Sequence, residues 1–123
     1  MNILYNNLEK HLIEIDSPFS LVETYGYLSG FASSNCSFDS YKDGLLKYFY
    51  IDSDSESENL NLDLLRDIIT SIRADISNKS LQLFFNGEKP LSSRLVSLSD
   101  WSRNYILSIN YLIDHKLLKN TLL

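Results

Sequence analysis

The sequence predicts an all-α fold: a single multihelical domain of about five to seven helices over residues 1–123. Three observations carry this expectation. Apolar residues recur at helical spacing over 3–15, 61–77 and 100–113. The chain has four Gly and two Pro, too few for the many tight turns of an all-β fold. Its 123 residues, 44% hydrophobic and 22% charged, match an average globular domain and are too few for two ordinary ones.

The first helix is expected over 3–15. Ile3, Leu4, Leu8, Leu12 and Ile15 recur at helical spacing, and Asn2 can cap the start. Asp16-Ser17-Pro18 breaks it, because the residue before Pro avoids the α region. Ser20 and Glu23 form an S-x-x-E capping box that opens a second helix running to about Ala32. Gly26 and Gly30, four apart, share one face of that helix. Each mid-helix Gly costs about 1 kcal/mol against Ala, so the pair predicts another element packed against bare backbone.

A third helix is expected over 39–50, with Leu45, Leu46, Phe49 and Tyr50 apolar. Residues 52–60 read as an acidic flexible linker. The fourth helix, about 61–77, has the clearest stripe: Leu65, Ile68, Ile69, Ile72 and Ile76. Residues 80–86 alternate weakly and predict a short extended segment, followed by a turn at Asn86-Gly87-Glu88-Lys89-Pro90. A short helix over 91–97 and a long one capped by Ser99, from Asp100 to about Asp114, complete the chain. Residues 115–123 either extend the last helix or fray.

Composition excludes several function classes. One cysteine, Cys36, rules out an intramolecular disulfide framework and a cysteine-based zinc site. No signal pattern opens the chain and no apolar run reaches membrane-spanning length, so by elimination the expected location is the cytoplasm. The net charge is −5 but uneven. Residues 1–65 hold three Lys/Arg against eleven Asp/Glu; residues 66–123 hold eight against five. The basic residues Arg66, Arg73, Lys79, Lys89, Arg94, Arg103, Lys116 and Lys119 are scattered singly, whereas phosphate binding needs clustered charge.

Two blocks of sequence resemble the YgfB/YecA family of small bacterial proteins. The first is Ser20-Leu-Val-Glu23-Thr-Tyr-Gly26-Tyr-Leu-Ser-Gly30. The second runs from Leu81 through Phe84, Phe85, Pro90, Leu91 and Arg94 to Leu98 and Trp101. In order and spacing they look like the family's capped helix ending in Gly, then its Phe/Leu run, acidic turn, Pro-Leu, Arg and Trp helix. Together they cover most of residues 17–112. Tyr25 stands where the family usually has His. Family members usually continue beyond the Trp helix, and the cysteine-rich metal-binding tail of the YecA branch is absent. The resemblance implies an all-helical fold for the front half and a cytoplasmic protein acting through protein contacts, and it brings no known catalytic residues.

No motif for chemistry emerges. Asp52, Asp54, Glu56 and Glu58 imitate a calcium loop, but its sixth and twelfth positions hold Ser57 and Asp63 where Gly and Glu are required. His11 and His115 lie far apart with no marked nucleophile beside them. Cys36 has no nearby Lys or Arg to activate its thiol. No cofactor or metal is therefore expected. Trp101 reads as a core anchor, and Arg94 as a partner for a carboxylate that ties the turn to the helices. On the last helix, Trp101, Tyr105, Ile106, Ile109, Leu112 and Ile113 form a broad apolar face, expected to be the core side. Leu107, Tyr111 and Leu118 form a second stripe, expected to meet a second copy or a protein partner. The function so predicted is a non-enzymatic protein-interaction or regulatory module. The alternatives are a nucleic-acid-associated regulator using the basic C-terminal half and, less favoured, an enzyme of unknown chemistry.

Overall fold

The computed structural model describes residues 3–49, 60–79 and 91–117. Among these the chain is all helical: α1 (Ile3–Glu14), α2 (Leu21–Ala32), α3 (Phe38–Tyr48), α4 (Leu62–Ser77) and α5 (Leu91–Asp114). The Asn2 cap, residues 52–59 of the expected linker with their calcium-loop carboxylates, the extended segment at 80–86, Lys89, Leu118 and Lys119 fall outside the described residues.

Helix α2 is the hub. It packs most extensively on α5, then on α4 and α1, and α3 closes against α5. Its start is fixed by the capping box: the Glu23 amide donates to Ser20 Oγ at 3.2 Å and the Ser20 amide donates to Glu23 Oε1 at 3.0 Å. From Thr24 to Ala32 every residue of α2 is buried, as a helix surrounded by others must be. Buried side chains of all five helices, with Leu60, form one core. Leu60 therefore belongs to the core and not to the linker that its acidic neighbours suggest.

A continuous run of rings crosses this core. Phe19 stacks on Tyr48 at 4.1 Å, Tyr48 on Tyr27 at 3.8 Å, and Tyr27 meets Phe31 edge-on. Phe31 stacks on Tyr41 at 4.3 Å, and Tyr41 meets Phe38 edge-on. These rings join the α1–α2 turn, α2 and α3 into one unit, each pair adding about 0.5–1.5 kcal/mol beyond its burial.

The stripe on α4 is buried at Leu65, Ile68, Ile69 and Ile72, while Ile76 is exposed near the helix end. In α1 the inward side chains are Tyr5, Leu8, His11 and Leu12, and Ile3 is exposed. The largest departure is α5. It is one helix through Ser97 and Ser99, not a short helix followed by a capped long one. Neither Gly nor Pro interrupts 91–114, and a Ser inside a helix costs only a few tenths of a kcal/mol, too little to force a break.

Candidate functional site

Bare backbone decides how α5 sits. A Cβ on Gly26 would collide with the Trp101 carbonyl oxygen and lie 2.9 Å from its carbonyl carbon. A Cβ on Gly30 would collide with Ser108 Oγ and lie 2.8 Å from the Tyr105 carbonyl oxygen. The element against the glycine face of α2 is therefore α5. On α3, a Cβ on Gly44 would lie 2.9 Å from the Tyr111 ring. Between these contacts the inward line of α5 is Trp101, Asn104, Tyr105, Ser108, Tyr111 and Leu112.

That line includes small polar residues which sequence reasoning passed over. Asn104 and Ser108 are buried. The Tyr48 hydroxyl donates to Asn104 Oδ1 at 2.7 Å, and Asn104 Nδ2 donates to the Asp100 carbonyl at 2.8 Å. Ser108 Oγ donates to the Tyr105 carbonyl at 2.8 Å. The available signal was Ser108 itself, a small residue of the kind that close helices select, which the structure places against Gly30.

This seating corrects the expected faces of α5. Ile106, expected inside, is 56% exposed, and Ile109 and Ile113 are half-buried. Tyr111, expected on a free stripe, covers Gly44, meets Phe31 edge-on at 5.9 Å and stacks on His115 at 3.9 Å. Leu107 is exposed while Tyr111 is engaged within the fold, so these two do not share one free stripe, and Leu118 lies outside the described residues. Trp101 is half-buried, edge-on to Tyr25 and stacked on Tyr105. Arg94 is exposed and makes no ion pair among the described residues. It stands on the first turns of α5, where no side chain from 92 to 99 is buried, so no carboxylate of the bundle reaches it.

Helix α5 carries most of the large exposed apolar side chains among the described residues. Leu95, Val96, Leu98, Ile106 and Leu107 are 41–60% exposed, five large side chains on one 24-residue helix. Five of the eight large exposed apolar residues described are on α5; the other three, Ile3, Ile13 and Ile76, stand singly. Scattered apolar residues are ordinary, whereas a contiguous group marks a contact surface.

The basic residues are dispersed. Arg73 donates to the carbonyls of Ala32, Phe31 and Cys36 at 3.2, 3.5 and 3.4 Å, so it serves the C-terminus of α2. Arg66 lies over the Phe38 ring at 4.7 Å and pairs with Asp63 at 3.5 Å, and Arg103 pairs with Asp100 at 3.5 Å. The groups with chemical potential are likewise engaged. His11 is buried and its Nε2 accepts the Asn61 amide at 2.9 Å, while Cys36 Sγ donates to the Leu117 carbonyl at 3.5 Å. His115 Nδ1 lies 2.9 Å from the Tyr111 carbonyl. Burial pushes the hydroxyls of Tyr25 and Tyr27 far above the ordinary phenol value, aided by Tyr5 in the first case and Tyr111 in the second.

An open hollow of about 380 Å³ lies at the α1–α2 turn, lined by Glu9, Leu12, Ile13, Asp16, Ser17, Phe19, Ser20 and Leu21. Its two carboxylates are solvated, and Ser17 and Ser20 already serve their own turn and cap. Among the described residues no group of three or more His, Cys, Asp or Glu could hold a metal ion, and no helix is long and apolar enough to cross a membrane. Comparisons with protein-family models, curated proteins and solved structures return no match for this chain.

Proposed function

We propose that this chain is a non-enzymatic protein-interaction or regulatory module, akin in its front half to the YgfB/YecA proteins, and that α5 is its contact element. The observation that carries the reading is the exposed group Leu95, Val96, Leu98, Ile106 and Leu107 on a helix anchored by its opposite face. A helix apolar on two sides is usually covered on both. The anchoring at Trp101, Tyr105, Ser108 and Tyr111 holds the bundle half of α5 in place, and the helix carries its first turns outward from there, at a lower entropy cost of binding than a loop. The nucleic-acid reading is weaker, because Arg66, Arg73 and Arg103 are committed to contacts within the fold.

The test is capture of binding partners from the source cells with the parent chain and with the Leu95→Asp, Leu98→Asp double variant. Both side chains are exposed, so the variant keeps its helical circular dichroism and melting temperature. The proposal expects the captured protein, whether a second copy or another chain, to be lost. Equal capture by a folded variant rejects α5 as the contact element.

A further inference from the structure

We infer that the partner of α5 is the α5 of a second copy, laid antiparallel across Ser102. This rests on the reading of α5 as the contact element and adds its occupant and register. The argument begins with spacing. Along α5 the positions Leu91, Leu95, Leu98, Ser102, Ile106, Ile109 and Ile113 follow steps of 4, 3, 4, 4, 3 and 4. These are two consecutive 11-residue units, from 91 to 102 and from 102 to 113. An 11-residue period matches about 3.67 residues per turn, so the stripe stays on one side of a nearly straight helix. At roughly 100° per residue it lies about a third of a turn from the line that faces α2.

The same spacing is symmetric about Ser102. Leu98 and Ile106 stand four residues to either side, and Leu95 and Ile109 seven. Leu91 and Ile113 stand eleven to either side. Two copies related by a two-fold axis at Ser102 therefore bring Leu95 onto Ile109 and Leu98 onto Ile106, with serines meeting at the crossing. A stripe complementary to its own reverse is what a two-fold interface requires. Ser102 is small, so the two backbones can approach at the axis. Residue 102 is also the middle of α5, Leu91–Asp114, so this register overlaps the whole helix.

Burial has the matching asymmetry. Leu95 and Leu98 are exposed on turns that carry no buried side chain, while Ile109 and Ile113 are half-buried beside the core. Antiparallel pairing lays the uncovered half of each α5 over the bundle end of the other. It also sets opposite ends of the helix dipoles side by side, where parallel pairing sets like ends together. Arg94, which makes no ion pair among the described residues and stands near the positive end of its own helix, then lies beside the negative end of its neighbour's. The contact strip, about 33 Å long by 22 residues of rise, is narrow. It falls at the low end of specific interfaces, so a reversible dimer is expected.

Sedimentation equilibrium of the full chain from low micromolar to millimolar concentration is the first measurement. The second uses a Cys36→Ser background and compares disulfide formation by Ser102→Cys and by Ser93→Cys, which stands on the opposite side of α5. The expected result is a reversible dimer whose dissociation constant rises at least tenfold with Leu98→Asp, and Ser102→Cys dimers that form many times faster than Ser93→Cys dimers. A dimer in which the two cysteines cross-link equally overturns the register but leaves α5 as a contact element. A chain that stays monomeric throughout overturns self-pairing, and the capture experiment above then decides separately whether α5 contacts another protein.

Discussion

Three residues in the left-handed region show where the backbone is strained: Asp16 at φ 52°, Lys79 at φ 56° and Lys116 at φ 60°. Each follows the end of a helix. After α5, the Leu117 amide donates to the Leu112 carbonyl at 2.8 Å and the Lys116 amide to the Ile113 carbonyl at 2.9 Å. This is the Schellman arrangement, and α1 repeats it with Ser17 to Leu12 and Asp16 to Ile13. Glycine usually fills that position because a Cβ there costs about 1 kcal/mol or more. Lys116→Gly and Asp16→Gly are therefore expected to stabilise the fold by about 0.5–1 kcal/mol each, read as a higher urea midpoint with an unchanged slope. Arg73 acts in the opposite sense. Arg73→Met keeps the apolar stem but leaves carbonyls at the α2 terminus without their donor. A loss of about 1–2 kcal/mol is expected, with Arg73→Lys recovering only part because it lacks the planar fork.

Among the elements, the seating of α5 depends on which atoms oppose each glycine. Gly26 faces backbone of α5, which cannot move without the helix, whereas Gly44 faces the tip of the Tyr111 side chain. Alanine gains about 1 kcal/mol of helix propensity at either position. At Gly26 overpacking exceeds that gain, so Gly26→Ala is expected to destabilise by about 1–3 kcal/mol net. At Gly44 a small ring movement relieves the clash, so Gly44→Ala stays within about 1 kcal/mol of the parent. Urea denaturation followed by the fluorescence of the single tryptophan, Trp101, reads both directly, since Trp101 sits at the α2–α5 contact. Equal stabilities for the two variants would show that α5 can slide away from α2.

For the molecule as a whole, the aromatic core sets the response to alkali. Burial holds the hydroxyls of Tyr5, Tyr25, Tyr27, Tyr41 and Tyr111 above the ordinary value of 10.0. The folded form therefore keeps protons that the unfolded chain releases near pH 10. Stability from this source is fully present below pH 10 and falls as the pH rises beyond it. Each buried phenol, such as Tyr25 or Tyr27, subtracts up to about 1.4 kcal/mol per pH unit. Tyrosinate absorbance is expected to rise in one steep step together with loss of helical circular dichroism. A gradual rise at intact helicity would mean that the rings are open to solvent.

Periodicity and caps were legible in the sequence because they are local. The α4 stripe at Leu65, Ile68, Ile69 and Ile72, the Ser20–Glu23 box, and the glycine pair that demanded a close neighbour each depend on residues within a turn or two. What periodicity could not tell was which neighbour came, and that choice rearranged the rest. Once α5 backbone fills the hollow at Gly26 and Gly30, Ser108 and Asn104 turn inward and Ile106 turns out. Tyr111 is drawn over Gly44, and Arg94 is left on turns beyond the bundle. Hydrophobicity alone ranks Ile106 above Ser108 for the core. The tertiary structure reverses that order because two helices in backbone contact leave room only for small side chains, and the displaced isoleucines and leucines become the exposed face of α5.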